Sequence, residues 1–519
     1  MILDAQNADR AFFDRTFDAC IVGTGPAGMS LARRLAAHGF SVALMEGGGL
    51  DITAESQELY EGDIVGLPYY PTDITRLRFL GGSSNHWGGR CRALDPYDYR
   101  AQPHHPLSGW PIGWEDLSPY AAETEAILDL PPSEATPDET VEGAEEDLFL
   151  PGFRFSYPPT MIGRKYQDEI DASDRITLVV NANLVDIRMN GNGTAVAGTV
   201  FKSYAPEDGG FTVRARSYCL CLGALENPRA LLNANSQFPK GIGNQHDLVG
   251  RYFCEHPTYL VGEVLFEDRV PPKTGFAPTP EFMQRAGCLN FNALLNTHAL
   301  HLKTEAMRSV ACTSDFMTEL AERVLGRPFK CDVGGIARYF DALKTDEFHK
   351  GEIGCIAEQA LNRDSRVLLS DTKDRFGLQR LAIDWRHSPL DFQTYRACVT
   401  VMGEYLAKEH IGRVKVADWL MDEDPTPPEM GTPGHQVGAH HHMCTTRMSE
   451  NPREGVVDAN CRVHGVGNLF MGGSSVFATA GHCNPTYTIV ELALRLGDHL
   501  SEELAGGNLA SVSDDSVIR

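Results

Sequence analysis

Two polar loops near the C-terminal end carry residue types suited to proton transfer. One is Gly438-Ala439-His440-His441-His442-Met443-Cys444-Thr445-Thr446-Arg447-Met448, and the other is Ala480-Gly481-His482-Cys483-Asn484-Pro485-Thr486. A neutral imidazole is the side chain able to take a proton near pH 7. Three consecutive histidines cannot all face one point, because alternate residues of an extended chain face opposite sides. One of them, or the pair His440 and His442, is therefore free to face a cofactor. A metal site would need ligands on one face. No carboxylate or cysteine at ligand spacing accompanies the row, so no metal is expected. Backbone groups can satisfy such a cluster in a purely structural role. The recurrence of polar residues in two glycine-containing loops favours the catalytic reading instead.

These loops need a scaffold, and the N-terminal part of the chain supplies one. Asp18-Ala19-Cys20-Ile21-Val22 reads as a strand, Gly23-Thr24-Gly25-Pro26-Ala27-Gly28 as a tight turn, Met29 to His38 as a helix, and Ser41 to Met45 as a second strand ending at Glu46. Gly23 allows the turn, Gly25 lets the backbone approach a pyrophosphate, and Gly28 lets the helix pack against the strand. The free N–H groups at the helix start favour phosphate. Glu46 lies about 20 residues on, where a carboxylate accepts from a ribose hydroxyl. The glycine spacing alone is a weak signal; with strand, helix and acid in place it is a dinucleotide site.

Composition sets the outer bounds. A chain of 519 residues is long for one core, so two domains interleaved in sequence are expected. Hydrophobic and charged contents of 42% and 22% are those of a globular protein. A net charge of −24 repels phosphate backbones, so nucleic acid is not expected as a partner; a basic electron-transfer protein would suit it, but solubility alone is the favoured explanation. The 13 cysteines include no C-x-x-C pair, which argues against a disulfide framework, a zinc site or an iron–sulfur cluster. No basic, then apolar, leader opens the chain and no run of about 18 apolar residues occurs. No membrane segment and a cytoplasmic location are expected, with export on a partner chain as the alternative.

Further along, Arg78 to Arg90 is rich in Gly, Ser and Asn and holds His86 and Trp87, as a loop on which something lies. Residues 51–76 read as an extended excursion, Trp114 to Leu128 as a helix, and 131–147 as an exposed acidic segment. Residues 176–187 and 195–216 alternate apolar and polar and read as antiparallel strands. Tyr218 to Leu222 reads as a buried strand entering a helix at Gly223. Asn468 to Gly472 reads as a strand, and Thr486 to Leu500 as an amphipathic helix. The expected fold class is α/β, with a Rossmann-like domain (15–95, 175–255 and 455–505) interleaved with a substrate domain built on an antiparallel sheet (96–174 and 256–454). A flexible tail, 506–519, is expected to follow.

Taken together, these motifs resemble the glucose–methanol–choline (GMC) family of FAD-dependent alcohol oxidases and dehydrogenases. The resemblance runs in order through Gly23–Gly28 with Glu46, Gly81–Gly89, Gly223–Asn227 with Pro228, Gly250-Arg251-Tyr252-Phe253, and His441 with Asn484. It implies FAD contacts at Gly23, Gly25, Gly28, Glu46, Gly82, Ser83, Asn85, His86, Val185, Gly223, Asn227, Gly473, Ser474, Pro485 and Thr486. It implies His441 as the base near flavin N5, with Asn484 as the family's second residue and His442 as the competitor should the register slip by one. His86 matches the position where some relatives attach FAD covalently. Cys444 departs from the pattern, since relatives usually carry Gly there.

The Gly-Gly-Ser-Ser-Asn-His-Trp loop and the His-His-Met-x-Thr-Thr-Arg-Met segment resemble the branch with pyranose oxidases and bacterial glycoside 3-oxidising enzymes. That implies oxidation of a secondary sugar or glycoside hydroxyl, at C3 or C2, to a ketone. Tyr259, Phe291, Asn292, Tyr339, Phe340 and Trp385 are candidate sugar platforms that a plain core would equally explain. A choline-like or aliphatic alcohol, or a non-redox lyase retaining FAD, are the alternatives. Oxygen or a redox partner would accept the electrons.

Overall fold

A computed structural model describes residues 1–205, 208–267, 275–297, 334–342, 349–428 and 439–507, together with 303, 306 and 309. Gly438 and the tail beyond residue 507 lie outside these residues.

The strand Thr16–Val22 lies within an eight-stranded sheet. Parallel neighbours run Ile2–Asp4, Ile176–Val180, Val42–Met45, Thr16–Val22 and Phe211–Leu220. The long strand Phe211–Leu220 changes partner along its length. Phe211–Val213 pair antiparallel with Val196–Lys202, while Tyr218–Leu220 pair parallel with Leu469–Met471. Asn183–Met189 closes the antiparallel edge. Central parallel strands are buried on both faces and read as continuous apolar runs; all four residues of Val42–Met45 and all five of Ile176–Val180 are buried. This explains one departure from expectation. Residues 176–187 are two strands rather than one antiparallel strand, broken at Asn181, whose φ is +57°. Ile176–Val180 joins the parallel layer, and only Asn183–Met189 is antiparallel.

The second sheet is antiparallel throughout, with seven strands in the order Gly412–Val416, Thr258–Phe266, Lys350–Ala357, Phe291–Thr297, Gly275–Pro278, Leu148–Leu150 and Glu139–Thr140. The helix Pro389–Lys408 covers it with Tyr395, Cys398, Val399, Met402 and Leu406. Asp391 in its first turn accepts from the Ser388 main-chain N–H at 2.5 Å. The acidic segment 131–147 is therefore not simply a solvated loop: Glu139–Thr140 forms the sheet edge, and Val141 and Ala144 enter the core. The excursion 51–76 likewise contains a short helix, Ala54–Gln57, and a strand, Gly62–Ile64, parallel to Gln379–Asp384 in a third, small sheet. Residues 96–174 contribute to both main cores, Leu117, Ile127, Ile162 and Ile170 to the first and Leu148 to the second. The expected helix from Trp114 starts as two 3-10 turns, and α-helix runs over Ala121–Leu128. Pro119, which has no N–H to give, falls in the second turn.

Two helices hold the nucleotide-like turn. Pro26–Ala37 follows it directly, and Thr486–Gly506 packs alongside. Arg34 forks onto both carboxylate oxygens of Asp498 at 2.6 and 2.8 Å, tying the two together. Gly23 has φ +104°, a conformation that favours glycine, and its N–H donates to the Met45 carbonyl at 2.7 Å. A Cβ on Gly28 would sit 1.9 Å from the Gly23 carbonyl oxygen, so helix and turn touch as backbone. Gly25 is different, since nothing lies within 4 Å of a Cβ there. Gly28→Ala is therefore expected to destabilise the protein by about 1–3 kcal/mol through overpacking, whereas Gly25→Ala stays near wild type. Chemical denaturation of the two variants checks this, and equal midpoints would contradict it.

Candidate active site

A long cleft begins at the glycine turn and ends at the two polar loops. Gly23, Gly25, Glu46, Gly82, Ser83, His86, Gly223, His441, His442, Gly473, Ser474, Asn484, Pro485 and Thr486 all line it. Four of the residues expected to touch a cofactor do not line this cleft. Gly28 lies behind the turn, as above. Asn85 turns inward and donates to the Leu80 and Gly82 carbonyls at 3.0 and 2.8 Å, closing its own loop. Asn227 is fully buried; it accepts from Leu222 N–H and donates to the Gly472 carbonyl and Ser475 Oγ, pinning three segments together. Val185 sits at a bulge, where the register jumps from Leu184 to Asp186, and the cleft wall is made by Ala182, Asn183 and Leu184.

The walls suit a dinucleotide. Gly25 caps the helix Pro26–Ala37 without a side chain in the way, so the N–H groups of its first turn are open to an anion. Gly223, with φ +79°, also leaves open space where a Cβ would stand. Glu46 is buried at the cleft floor, where its carboxylate accepts from Thr24 and Gly48 N–H at 3.2 and 2.9 Å and from the Thr24 hydroxyl. Nearby, Glu226 bridges Arg76 and Arg229 at 2.9 and 3.0 Å. Burial alone would raise that carboxyl, but Arg229, Arg76 and Arg78 bring it down to about 2.

At the far end His441 meets Asn484, with Nε2 and Nδ2 3.2 Å apart. Contrary to the expectation from alternation, all three histidines of the row line the cleft, because the left-handed backbone at His440 breaks the extended run. His440, at φ +59°, places its ring edge against Tyr70. His442 is buried against Phe253, and its Nε2 makes no hydrogen bond, the Glu255 carboxylate being 3.8 Å away. His441 opens only toward the cleft. Desolvation, followed by His256, His442, His440 and Arg90, holds its pKa well below the usual imidazole value. It is neutral at pH 7, with a ring nitrogen free of a proton. The expected aromatic platforms are placed otherwise: Tyr259, Phe291 and Trp385 are core residues, Asn292 is buried, and Tyr339 and Phe340 lie outside the cleft wall. The aromatic lining comes from Tyr60, Trp87 and Phe376.

Two residues outside the expected set build this end. Glu255, fully buried, accepts from the Tyr69 hydroxyl and from the N–H groups of His256, Ala439 and His441, the last three at 3.0, 3.3 and 2.9 Å. His256 touches the His441 ring, Nδ1 to Nδ1 at 2.9 Å, and reaches the Gly481 carbonyl with Nε2 at 2.8 Å. The signal in the sequence is a titratable pair, Glu255-His256, directly behind Gly250-Arg251-Tyr252-Phe253-Cys254.

A nucleotide-binding α/β sheet joined to an antiparallel sheet, with a histidine–amide pair at the end of a dinucleotide cleft, defines a flavin-dependent oxidoreductase architecture. Residues 362–493 match the family model described as GMC oxidoreductase. The chain is 24% identical to 2-methyl-1,2-propanediol dehydrogenase of Mycolicibacterium austroafricanum, over 94% of this chain and 96% of that one. It is 30% identical to C-glycoside 3-oxidase of Arthrobacter globiformis over 32% of this chain and 30% of that one. A fungal aryl-alcohol oxidase superposes with a TM-score of 0.57 at 15% identity, covering 94% and 99% of the two chains. Residues 362–493 thus carry a GMC oxidoreductase C-terminal domain, and the chain is an FAD-dependent oxidoreductase acting on CH–OH groups. Among the described residues no helix is long and apolar enough to cross a membrane.

Glu255→Ala should destabilise the protein by about 1–3 kcal/mol for each donor left without an acceptor. Glu255→Gln keeps an acceptor oxygen and should lose less. Denaturant midpoints of the two variants test this; indistinguishable midpoints would refute the clamp.

Proposed function

We propose that this enzyme oxidises a secondary hydroxyl of a sugar or glycoside, at C3 or C2 of a pyranose ring, to the ketone. The observation that carries the reading is the His441–Asn484 pair at the end of the cleft. An alcohol carbon gives up hydride only as its hydroxyl proton is removed. His441 takes that proton at Nε2, and the Asn484 amide donates to the hydroxyl oxygen without competing for the proton. FAD, held along the cleft by the Gly23–Gly25 turn, Glu46 and the start of the Thr486–Gly506 helix, would supply a two-electron hydride acceptor there. Trp87 provides flat apolar surface for a ring, and Arg90, His440 and His442 are polar groups lining the same cleft. The C-glycoside 3-oxidase similarity supports a glycoside; the diol dehydrogenase similarity favours a smaller, non-sugar alcohol as the second reading. Either oxygen or a redox partner would complete the turnover.

Anaerobic stopped-flow reduction by candidate sugars, glycosides and small diols decides between the two readings. Faster bleaching of the yellow band by diols would reject the sugar assignment, and no bleaching by any alcohol would reject alcohol oxidation. His441→Ala is expected to slow reduction by roughly 10²–10⁴-fold, the usual contribution of a general base, and Asn484→Ala by less. If His442→Ala is the slow variant instead, the register is off by one.

The pH dependence has a definite sign. The base form of His441 exists above its pKa, which is depressed. Flavin reduction should therefore stay level as pH falls through about 6.5, where an ordinary imidazole would be half protonated, and decline only in more acidic solution. A midpoint near 6.5 that disappears in His441→Ala would contradict this. For His86, acid precipitation separates the two forms of attachment: flavin left in the supernatant excludes a covalent bond.

A further inference from the structure

Hydrogen bonds at the end of the cleft run in one direction, set by a group that can only accept. The Gly481 carbonyl oxygen has no proton to give, so the contact at 2.8 Å requires His256 Nε2 to carry the hydrogen. A neutral imidazole holds one ring proton. His256 Nδ1 is then a bare lone pair, and it lies 2.9 Å from His441 Nδ1. Two lone pairs cannot face each other at that distance, so His441 Nδ1 carries a hydrogen and donates it. The lone pair of His441 is left at Nε2, the atom that faces the Asn484 amide nitrogen at 3.2 Å. Asn484 Nδ2 is a donor, so this last contact agrees with the assignment while playing no part in deriving it.

We propose that His256 is a positioning residue, which fixes the tautomer of His441 so that Nε2 is the proton acceptor in the cleft. This rests on the reading of His441 as the base. The geometry leaves little freedom for the alternative. The two rings are nearly perpendicular, at 87° with centroids 5.1 Å apart, so the His256 lone pair and the His441 N–H meet along a line. His256 is fully enclosed, and its main-chain N–H is held by Glu255, which also holds the main-chain N–H of His441. One carboxylate therefore sets the spacing of both histidines. The far end is anchored as well, because Gly481 N–H donates to the buried Glu358 carboxylate at 3.2 Å. A charged His256 would donate from both nitrogens and impose the opposite tautomer. Burial opposes that state and brings the His256 pKa down to about 4.

The direct test reads the tautomer itself. In the FAD-loaded enzyme with ring-15N histidine at neutral pH, long-range proton–nitrogen NMR correlates each ring, and the His441 signals are those lost in His441→Asn. The expected result is a protonated Nδ1 and an unprotonated Nε2. A protonated Nε2 would overturn the proposal, whatever the kinetics. Flavin reduction gives the second arm. His256→Ala removes the acceptor and should slow reduction, up to the roughly 10²–10⁴-fold that the base is worth. His256→Gln can accept from His441 with its amide oxygen and donate to Gly481 with its amide nitrogen, and should recover most of the rate. Wild-type reduction in His256→Ala, or no recovery in a folded His256→Gln, would count against the lock. If His256→Ala does not fold, the wild-type spectrum still decides. Because the spectrum reports the tautomer without reference to rate, its outcome separates this proposal from the role of His441: a costless His441→Ala would remove the base reading and leave the tautomer lock standing.

Discussion

One buried carboxylate organises the catalytic end of this protein. Glu255 has no exposure to solvent, and its two oxygens accept from Tyr69 of the 51–76 excursion, from His256 beside it, and from Ala439 and His441 of the histidine row. These segments are distant in sequence and share no sheet hydrogen bonds, apart from an isolated bridge between Cys254 and Met443. Remove the carboxylate and three main-chain N–H groups lose their acceptor, the one on His256 fully buried, and an unpaired buried donor costs more than a typical hydrogen bond contributes. The row of histidines can carry chemistry because its backbone is held this firmly.

Desolvation then does for the imidazoles what no single neighbour could. His256, His441, His442 and His482 crowd into a region from which water is largely excluded, and burial pushes all four down. A protein gathering several imidazoles around a substrate hydroxyl would otherwise meet a cationic cluster at mildly acidic pH. Nearby carboxyls move the other way: burial, with Asp98 next, raises Glu358 to about 8. Between His256, His441 and the Gly481 carbonyl, hydrogen-bond direction, more than charge, therefore carries the information. Charge is used at the other end of the cleft, where Arg76, Glu226, Arg229 and Asp374 form a continuous buried ion network joining the helix Gly223–Asn233 to the third sheet. Partners satisfy those ions on every side, the condition under which buried charge is tolerated.

Much of the nucleotide half was legible because its signals are local. A strand, a glycine turn, a helix and an acid lie within Asp18–Glu46, and backbone sterics alone restrict what such a stretch can form. The errors came where local pattern and tertiary placement part. Ile176–Val180 looks like half of an alternating strand, yet it is buried on both faces because other parallel strands flank it. Val185 is displaced from the cleft by a bulge that alternation cannot reveal. Asn227 is a polar residue near a glycine, as a ligand contact would be, but it spends its hydrogen bonds on Leu222, Gly472 and Ser475. The aromatic residues of the antiparallel half were ambiguous by type, and burial assigns Tyr259, Phe291 and Trp385 to cores.

The sequence by itself determined the class of scaffold, the glycine turn, and which two loops bring a histidine and an amide together. Residue type and short-range spacing are enough for those, since each depends on a few consecutive backbone conformations. Only the tertiary structure decided which histidine of three meets Asn484, and that His256, 185 positions away from His441, completes the site. Those facts depend on contacts between segments that the chain brings together only on folding, and on the direction of hydrogen bonds that begin at a single carbonyl oxygen.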